Sequence, residues 1–198
     1  MVTLIELAAT LANLAYVIFL IRERIICWPF GIAGSLLSIY LFVEIKLYSE
    51  AVLYSYYVAM GVWGWLRWQQ RDAQDNNPVL RYSLNAHAIT VIVAAASAIA
   101  LGALFASYSD AQRPYIDAFT TCFSFAATYM QVKKVLENWV YWMVINLASI
   151  WLYHDRALDI YAALICLYAV LSVTGFIQWL RVYRQQPVTG QQLVRASH

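Results

Sequence analysis

The chain predicts an all-α integral membrane protein of seven transmembrane helices, built as a parallel 3+1+3 repeat. Three observations carry that reading. Of its 198 residues, 63% are hydrophobic and 12% charged, against roughly 25% charged in an average soluble domain. Apolar windows recur at 3–21, 26–43, 51–66, 88–107, 114–132, 138–153 and 160–180. About 17–20 such residues cross the hydrocarbon core, and the shorter windows reach that span with Trp, Tyr and snorkelling Arg at their ends. Finally, moving the first half forward by 111 positions lays Trp28 on Trp139, Leu36 on Leu147, Ser38 and Ile39 on Ser149 and Ile150, Leu41 on Leu152, Leu47 on Leu158, Ala51 on Ala162 and Leu53 on Leu164. Three helices per unit and one extra crossing leave both units in the same orientation. The pseudo-twofold axis then runs along the membrane normal, with substrate held near midplane where the units face each other.

The first window holds Glu6, Thr10 and Asn13, and no Lys or Arg precedes it. It is read as a helix of the mature fold and not a signal peptide, because it has a repeat partner at 114–132. At the same shift Glu6 meets Asp117 and Thr10 meets Thr121. The second helix carries Pro29, Gly31, Gly34 and Ser35, and rocking about the proline and the two glycines is expected to open one side at a time. The third ends Trp63-Gly-Trp65-Leu-Arg-Trp68, where Trp63 and Trp68 read as an aromatic belt. A slip of three residues there aligns Gly61, Trp65 and Arg67 with Gly175, Trp179 and Arg181. Gln69 to Arg81 is the longest polar stretch, a loop leading to a helix 4 that has no repeat counterpart and reads as a connector. The expected organisation is 1–70 as the first three-helix bundle, 71–112 as cytoplasmic loop and linker helix, 113–183 as the second bundle, and 184–198 as a cytoplasmic tail.

Basic residues set the orientation. Segments after odd-numbered helices hold Arg22, Arg24, Arg67, Arg71, Arg81, Lys133, Lys134, Arg181, Arg184 and Arg195, against Lys46, Arg113 and Arg156 on the other side. Ten against three places the N-terminus outside and the C-terminus in the cytoplasm. The net charge of +2 follows from topology and implies no nucleic-acid partner.

Continuous apolar runs, without period-two alternation, exclude a β-barrel. Cys27, Cys122 and Cys166 form no CxxC pair and read as small packing residues. A membrane hydrolase would need a His and acid cluster, but His87, His154 and His198 are scattered and no HExxH is present. A retinal-type Schiff base needs a lysine inside a helix, whereas Lys46, Lys133 and Lys134 all stand at helix ends. A purely structural subunit fits poorly with polar groups placed at depth in both units. No metal, cofactor or enzymatic activity is expected.

The polar residues at window centres are Asn13, Ser35, Tyr57, Thr121, Ser124, Asn146, Tyr168 and Ser172. Asn13 pairs with Ser124 at the repeat shift, and Ser35 with Asn146. Such groups either bond neighbouring helices, at an average of about 0.6 kcal/mol, or meet substrate. Asn13 and Asn146 carry amides whose two donors and acceptor all need partners. On helix 6, Trp139, Trp142 and Asn146 stand three and four residues apart and share a face. Aromatic rings at that depth would stack on a flat substrate and attract a cation. Glu6 and Asp117 lie at matching places near the outer ends of helices 1 and 5. They either draw a cationic ligand to an outer mouth or stabilise helix N-termini. Ligand is expected between the units, held by Trp142, Asn146, Asn13 and Tyr57.

Cys27-Trp-Pro-Phe-Gly31, Lys46-Leu-Tyr-Ser-Glu50, Gly61-Val-Trp-Gly-Trp65-Leu-Arg-Trp68, and Glu137-Asn-Trp-Val-Tyr-Trp142 leading to Asn146 and Ser149 resemble the bacterial PnuC-type vitamin transporters. That family includes nicotinamide riboside carriers and a thiamine-transporting branch, PnuT, and the likeness runs from Glu6 to Arg181. The resemblance implies a fold similar to full-length SWEET-type transporters, a homotrimer in the inner membrane, and facilitated diffusion of an unphosphorylated vitamin that a cytoplasmic kinase then traps. It carries the binding role onto Trp142 and Asn146, then onto Trp139 and Trp65. Nicotinamide riboside and thiamine are both aromatic cations with polar appendages. The compact chain, without an additional N-terminal helix, looks more like the thiamine branch, so thiamine is the expected substrate and nicotinamide riboside the alternative.

Overall fold

The structure, a computed structural model, describes residues 2–44, 48–74, 77–108, 113–155 and 159–186. Seven helices run through these residues: α1 (Val2–Ile21), α2 (Cys27–Glu44), α3 (Tyr48–Ala73), α4 (Leu84–Tyr108), α5 (Pro114–Val132), α6 (Asn138–Asp155) and α7 (Asp159–Gln185). Each falls on one apolar window. Lys46, Arg156 and the tail beyond Gln186, including Arg195 and His198, lie outside the described residues.

At 25 to 27 residues, α3, α4 and α7 run about 38–40 Å at 1.5 Å per residue. They exceed a hydrocarbon core of about 30 Å and must tilt or project from it. The windows Leu4–Ile21, Cys27–Glu44, Leu84–Tyr108 and Ala163–Gln185 are long and apolar enough to cross a bilayer by length and composition. The remaining helices are more polar. Two of them, α5 and α6, hold most of the buried polar side chains: Ser124, Thr128, Gln131, Asn138 and Asn146.

The chain forms two compact units, Met1–Asn77 and Pro78–His198. In the first, α2 packs against both α1 and α3; in the second, α4 packs on α5, α5 on α6 and α6 on α7. Ala94, Ala98 and Gly102, four residues apart, are the buried positions of α4, and Tyr115 of α5 lies against Gly102. Small residues at this spacing let two helices approach closely where lipid provides no hydrophobic drive. The helix expected as a connector is therefore packed into the second unit.

Both units contain the same turn. Between α1 and α2, the N–H groups of Glu23, Arg24, Cys27 and Trp28 donate to the carbonyls of Leu20, Phe19, Arg24 and Ile25 at 2.9–3.2 Å. Between α5 and α6, those of Lys134, Val135, Asn138 and Trp139 donate to Gln131, Met130, Val135 and Leu136 at 2.9–3.3 Å. Each bond is its counterpart moved by 111 positions. The first two bonds of each set form the nested Schellman pattern, whose left-handed position usually holds glycine. Here Glu23 (φ 55°) and Lys134 (φ 60°) occupy it. An L-residue there costs about 1–2 kcal/mol, which the capped carbonyls offset.

The register continues into the third helix of each unit. Trp28 lies on Gly64 and meets Trp68 edge-on, centroids 5.3 Å apart at 90°. Trp139 lies on Gly175 and meets Trp179 at 5.4 Å and 88°. Gly64 and Trp68 are thus the equivalents of Gly175 and Trp179, at the unbroken 111 shift, and the three-residue slip expected from the sequence is corrected. Gly61/Trp65 and Gly64/Trp68 have the same spacing, and the Arg67 match favoured the wrong pair. Only packing against Trp28 separates them. Trp68 is wholly buried, so it belongs to this core and not to an interfacial belt.

The three residues expected to act as a hinge, Pro29, Gly31 and Gly34, all lie within α2. Pro29 is the third residue of an unbroken α2, in the first turn where its missing N–H has no intrahelical partner to lose. Gly31 and Gly34 receive Tyr16 and Asn13 of α1, so close packing explains them.

Candidate functional site

Three residues of α6 were expected to share one face, and their neighbours hold them differently. Trp139 is 2% exposed and occupied by Gly175 and Trp179. Its indole N–H has no hydrogen-bond partner among the described residues, nor has that of Trp28. Such an orphan costs about 1–3 kcal/mol, which ring packing must offset. Trp142 is half-buried and donates its N–H to Gln131 Oε1 at 2.9 Å. Gln131, in the last turn of α5, is itself 2% exposed.

Asn146, one turn beyond Trp142, donates from Nδ2 to Ser172 Oγ of α7 at 3.1 Å. The Ser172 hydroxyl in turn donates to the Tyr168 carbonyl at 2.8 Å. Among the described residues the Asn146 Oδ1 takes no hydrogen bond, leaving an acceptor and one N–H at the middle of a helix. The structure thus gathers Trp142, Gln131, Asn146 and Ser172 across three helices of the second unit. Chemically the group offers a fixed aromatic face with an amide and hydroxyl beside it. It can stack a flat ring and hydrogen-bond its appendages.

The other candidates sit elsewhere. Ser124 is buried on α5, two turns before Gln131, and its carbonyl accepts from Thr128. In the first unit, Asn13 lies against Gly34, and Tyr57 meets Tyr54 and Tyr56 edge-on at 5.3 and 6.1 Å. Trp65 is 41% exposed. Glu6 is exposed, whereas Asp117 falls in the first turn of α5 behind Pro114, where a carboxylate suits the helix dipole. No group of three His, Cys, Asp or Glu able to hold a metal occurs among the described residues.

Sequence reasoning missed Gln131 and a polar strap beside it. Gln131 stood at the edge of its window, and its signal was the repeat partner Leu20, an apolar residue. The strap is Val79–Tyr82. Leu80 N–H donates to Lys134 and its carbonyl accepts from Leu136 at 2.9 and 2.8 Å, a parallel bridge onto the α5–α6 turn. Arg81 pairs with Glu137 at 2.6 Å, and Glu137 also accepts from the Tyr82 N–H at 3.3 Å. The Arg81–Glu137 hydrogen bond raises Arg81 above its ordinary pKa. With its amide oriented by its partners, Gln186 pairs both backbone groups of Val79 at 3.1 and 2.7 Å.

Comparison with known proteins shows the family. The Nicotinamide mononucleotide transporter family matches residues 3–181. The nicotinamide riboside transporter PnuC of Escherichia coli K12 is 20% identical over 92% of this chain and 87% of its own length. That of Neisseria mucosa is 23% identical over 89% and 72%. The riboflavin/roseoflavin transporter RibM of Streptomyces davaonensis is 24% identical over 80% and 76%. A crystal structure of the vitamin B3 transporter PnuC superposes with a TM-score of 0.74 at 18% identity, covering 91% of this chain and 82% of that one. That likeness establishes the fold, and the family match extends almost from end to end of the helical region. The chain therefore belongs to the nicotinamide mononucleotide transporter family, as a multi-pass membrane transporter of the PnuC type and not an enzyme.

Proposed function

We propose that the protein carries nicotinamide riboside, an unphosphorylated cationic vitamin, across the bacterial inner membrane by facilitated diffusion. The observation that carries this reading is the α6 face: the Trp142 ring, held by Gln131, stands beside an Asn146 amide with an open acceptor. A pyridinium ring stacks on indole and is attracted by its quadrupole. Ribose hydroxyls find the Asn146 and Ser172 groups.

This reading replaces the thiamine preference. Nicotinamide riboside and riboflavin, named for the relatives, both join a flat heteroaromatic ring to a sugar-derived polyol, which thiamine lacks. Thiamine can use the ring face but has less for the amide and hydroxyl to bind. In the same proposal the fold is the parallel 3+1+3 repeat similar to SWEET transporters, working as a homotrimer with the N-terminus outside. Neutral groups in the site need no coupled ion, and a cytoplasmic kinase would keep uptake downhill.

The test is equilibrium binding to the purified protein in detergent, read by calorimetry with nicotinamide riboside, thiamine and riboflavin in parallel. Saturable binding of nicotinamide riboside at least tenfold tighter than thiamine is expected. Tighter binding of thiamine would restore the thiamine reading, and preference for riboflavin would move the substrate to the larger ring.

A further inference from the structure

Gln131 stands where the first unit has Leu20, in two turns whose backbone hydrogen bonds match donor for donor. Both side chains are buried, at 2% and 1% exposure. The turn therefore closes with a leucine as well as with a glutamine, and its backbone does not call for the amide. Burying an amide is unfavourable unless its polar atoms are paired. In the second unit a partner exists: the Trp142 N–H, at 2.9 Å from Gln131 Oε1. In the first unit the residue equivalent to Trp142 is Gly31, so donor and acceptor are both absent there.

We propose that Gln131 is a positioning residue for substrate, acting through Trp142. By taking the indole N–H it fixes the ring's rotation, so that Trp142 presents its face to a flat ligand and not its edge. A tryptophan in this place without Gln131 would turn to satisfy its N–H elsewhere, and the stacking surface would be lost part of the time. The inference rests on the reading that Trp142 binds ligand, and it adds a residue that touches none.

The experiment is a double-mutant cycle on the full-length protein, with nicotinamide riboside as probe and calorimetry as readout. Gln131→Leu removes the acceptor and places in the second unit the residue that the first already tolerates. Trp142→Phe keeps an aromatic ring but removes the N–H. Each single change is expected to weaken binding about three- to tenfold, the worth of one hydrogen bond. The double variant is expected to bind no more weakly than the weaker single one. Losses that multiply would overturn the inference, because Gln131 would then act independently of the indole N–H. Gln131→Met, which keeps length without an acceptor, guards against a folding defect in the leucine variant. Wild-type affinity in both Gln131 variants would equally sink the positioning role while leaving the site intact. Unchanged binding in Trp142→Ala would instead overturn the site itself, and the inference with it.

Discussion

Trp142→Ala is expected to weaken nicotinamide riboside binding about 30-fold or more, with the protein still folded and inserted. The estimate follows from a desolvated cation over an indole face, worth about 2 kcal/mol or more. Asn146→Ala is expected to cost about five- to 150-fold, the range for leaving a buried hydrogen-bonding group without its partner. Both variants should still fold and insert, with a modest loss of thermal stability, since Trp142→Ala removes the donor to the buried Gln131 Oε1 and Asn146→Ala removes the bond to Ser172. Calorimetry beside thermal unfolding in detergent separates the two effects. Equal affinity in both variants would remove α6 from the site. Trp68→Ala is the contrast: a wholly buried ring packed on Trp28 should lose about 3–5 kcal/mol of stability before it alters affinity.

Gly175→Ala and Gly64→Ala should each be strongly destabilising for a single added methyl. A Cβ on Gly175 would stand 2.6 Å from three atoms of the Trp139 ring, and one on Gly64 would run into the Trp28 ring. Neither ring can retreat, because Trp179 and Trp68 are wholly buried behind them. Overpacking of this kind costs about 1–3 kcal/mol, occasionally more. Gly61→Ala is the control. Its Cβ would meet the Ile32 side chain at 2.8 Å, and an isoleucine can change rotamer where a locked indole cannot. Thermal unfolding should fall clearly for the first two variants and little for the third. A Gly64→Ala protein as stable as Gly61→Ala would mean that the Trp28 ring is not locked over Gly64.

Hydropathy alone located all seven helices, because a lipid-facing chain must satisfy its backbone within each segment and leaves long apolar runs as the trace. The match between the two turns was legible through Trp28 and Trp139, which are large and fixed by packing. Its register in the third helices was not, since two Gly and Trp pairs at equal spacing compete and sequence carries no record of which glycine a ring covers. Trp142 and Asn146 were legible as a helical face. Trp139 was grouped with them by periodicity, yet it is committed to Gly175 and Trp179. Gln131 was invisible for a different reason: its role depends on a bond to a residue eleven positions away across a turn. The strap at Val79–Tyr82 was hidden in a segment that reads as polar loop, because its order comes from pairing with the α5–α6 turn.

In the proposed function this chain moves a nicotinamide-type nucleoside through the α6 site without a driving ion. This is tested most directly by uptake of labelled nicotinamide riboside into proteoliposomes, with no ion gradient, for wild type and Trp142→Ala side by side. Saturable uptake by wild type that stops when inside and outside concentrations are equal, and that is lost in the variant, is the predicted result. Accumulation above the outside concentration, uptake only when a gradient is imposed, or undiminished uptake by Trp142→Ala would contradict it.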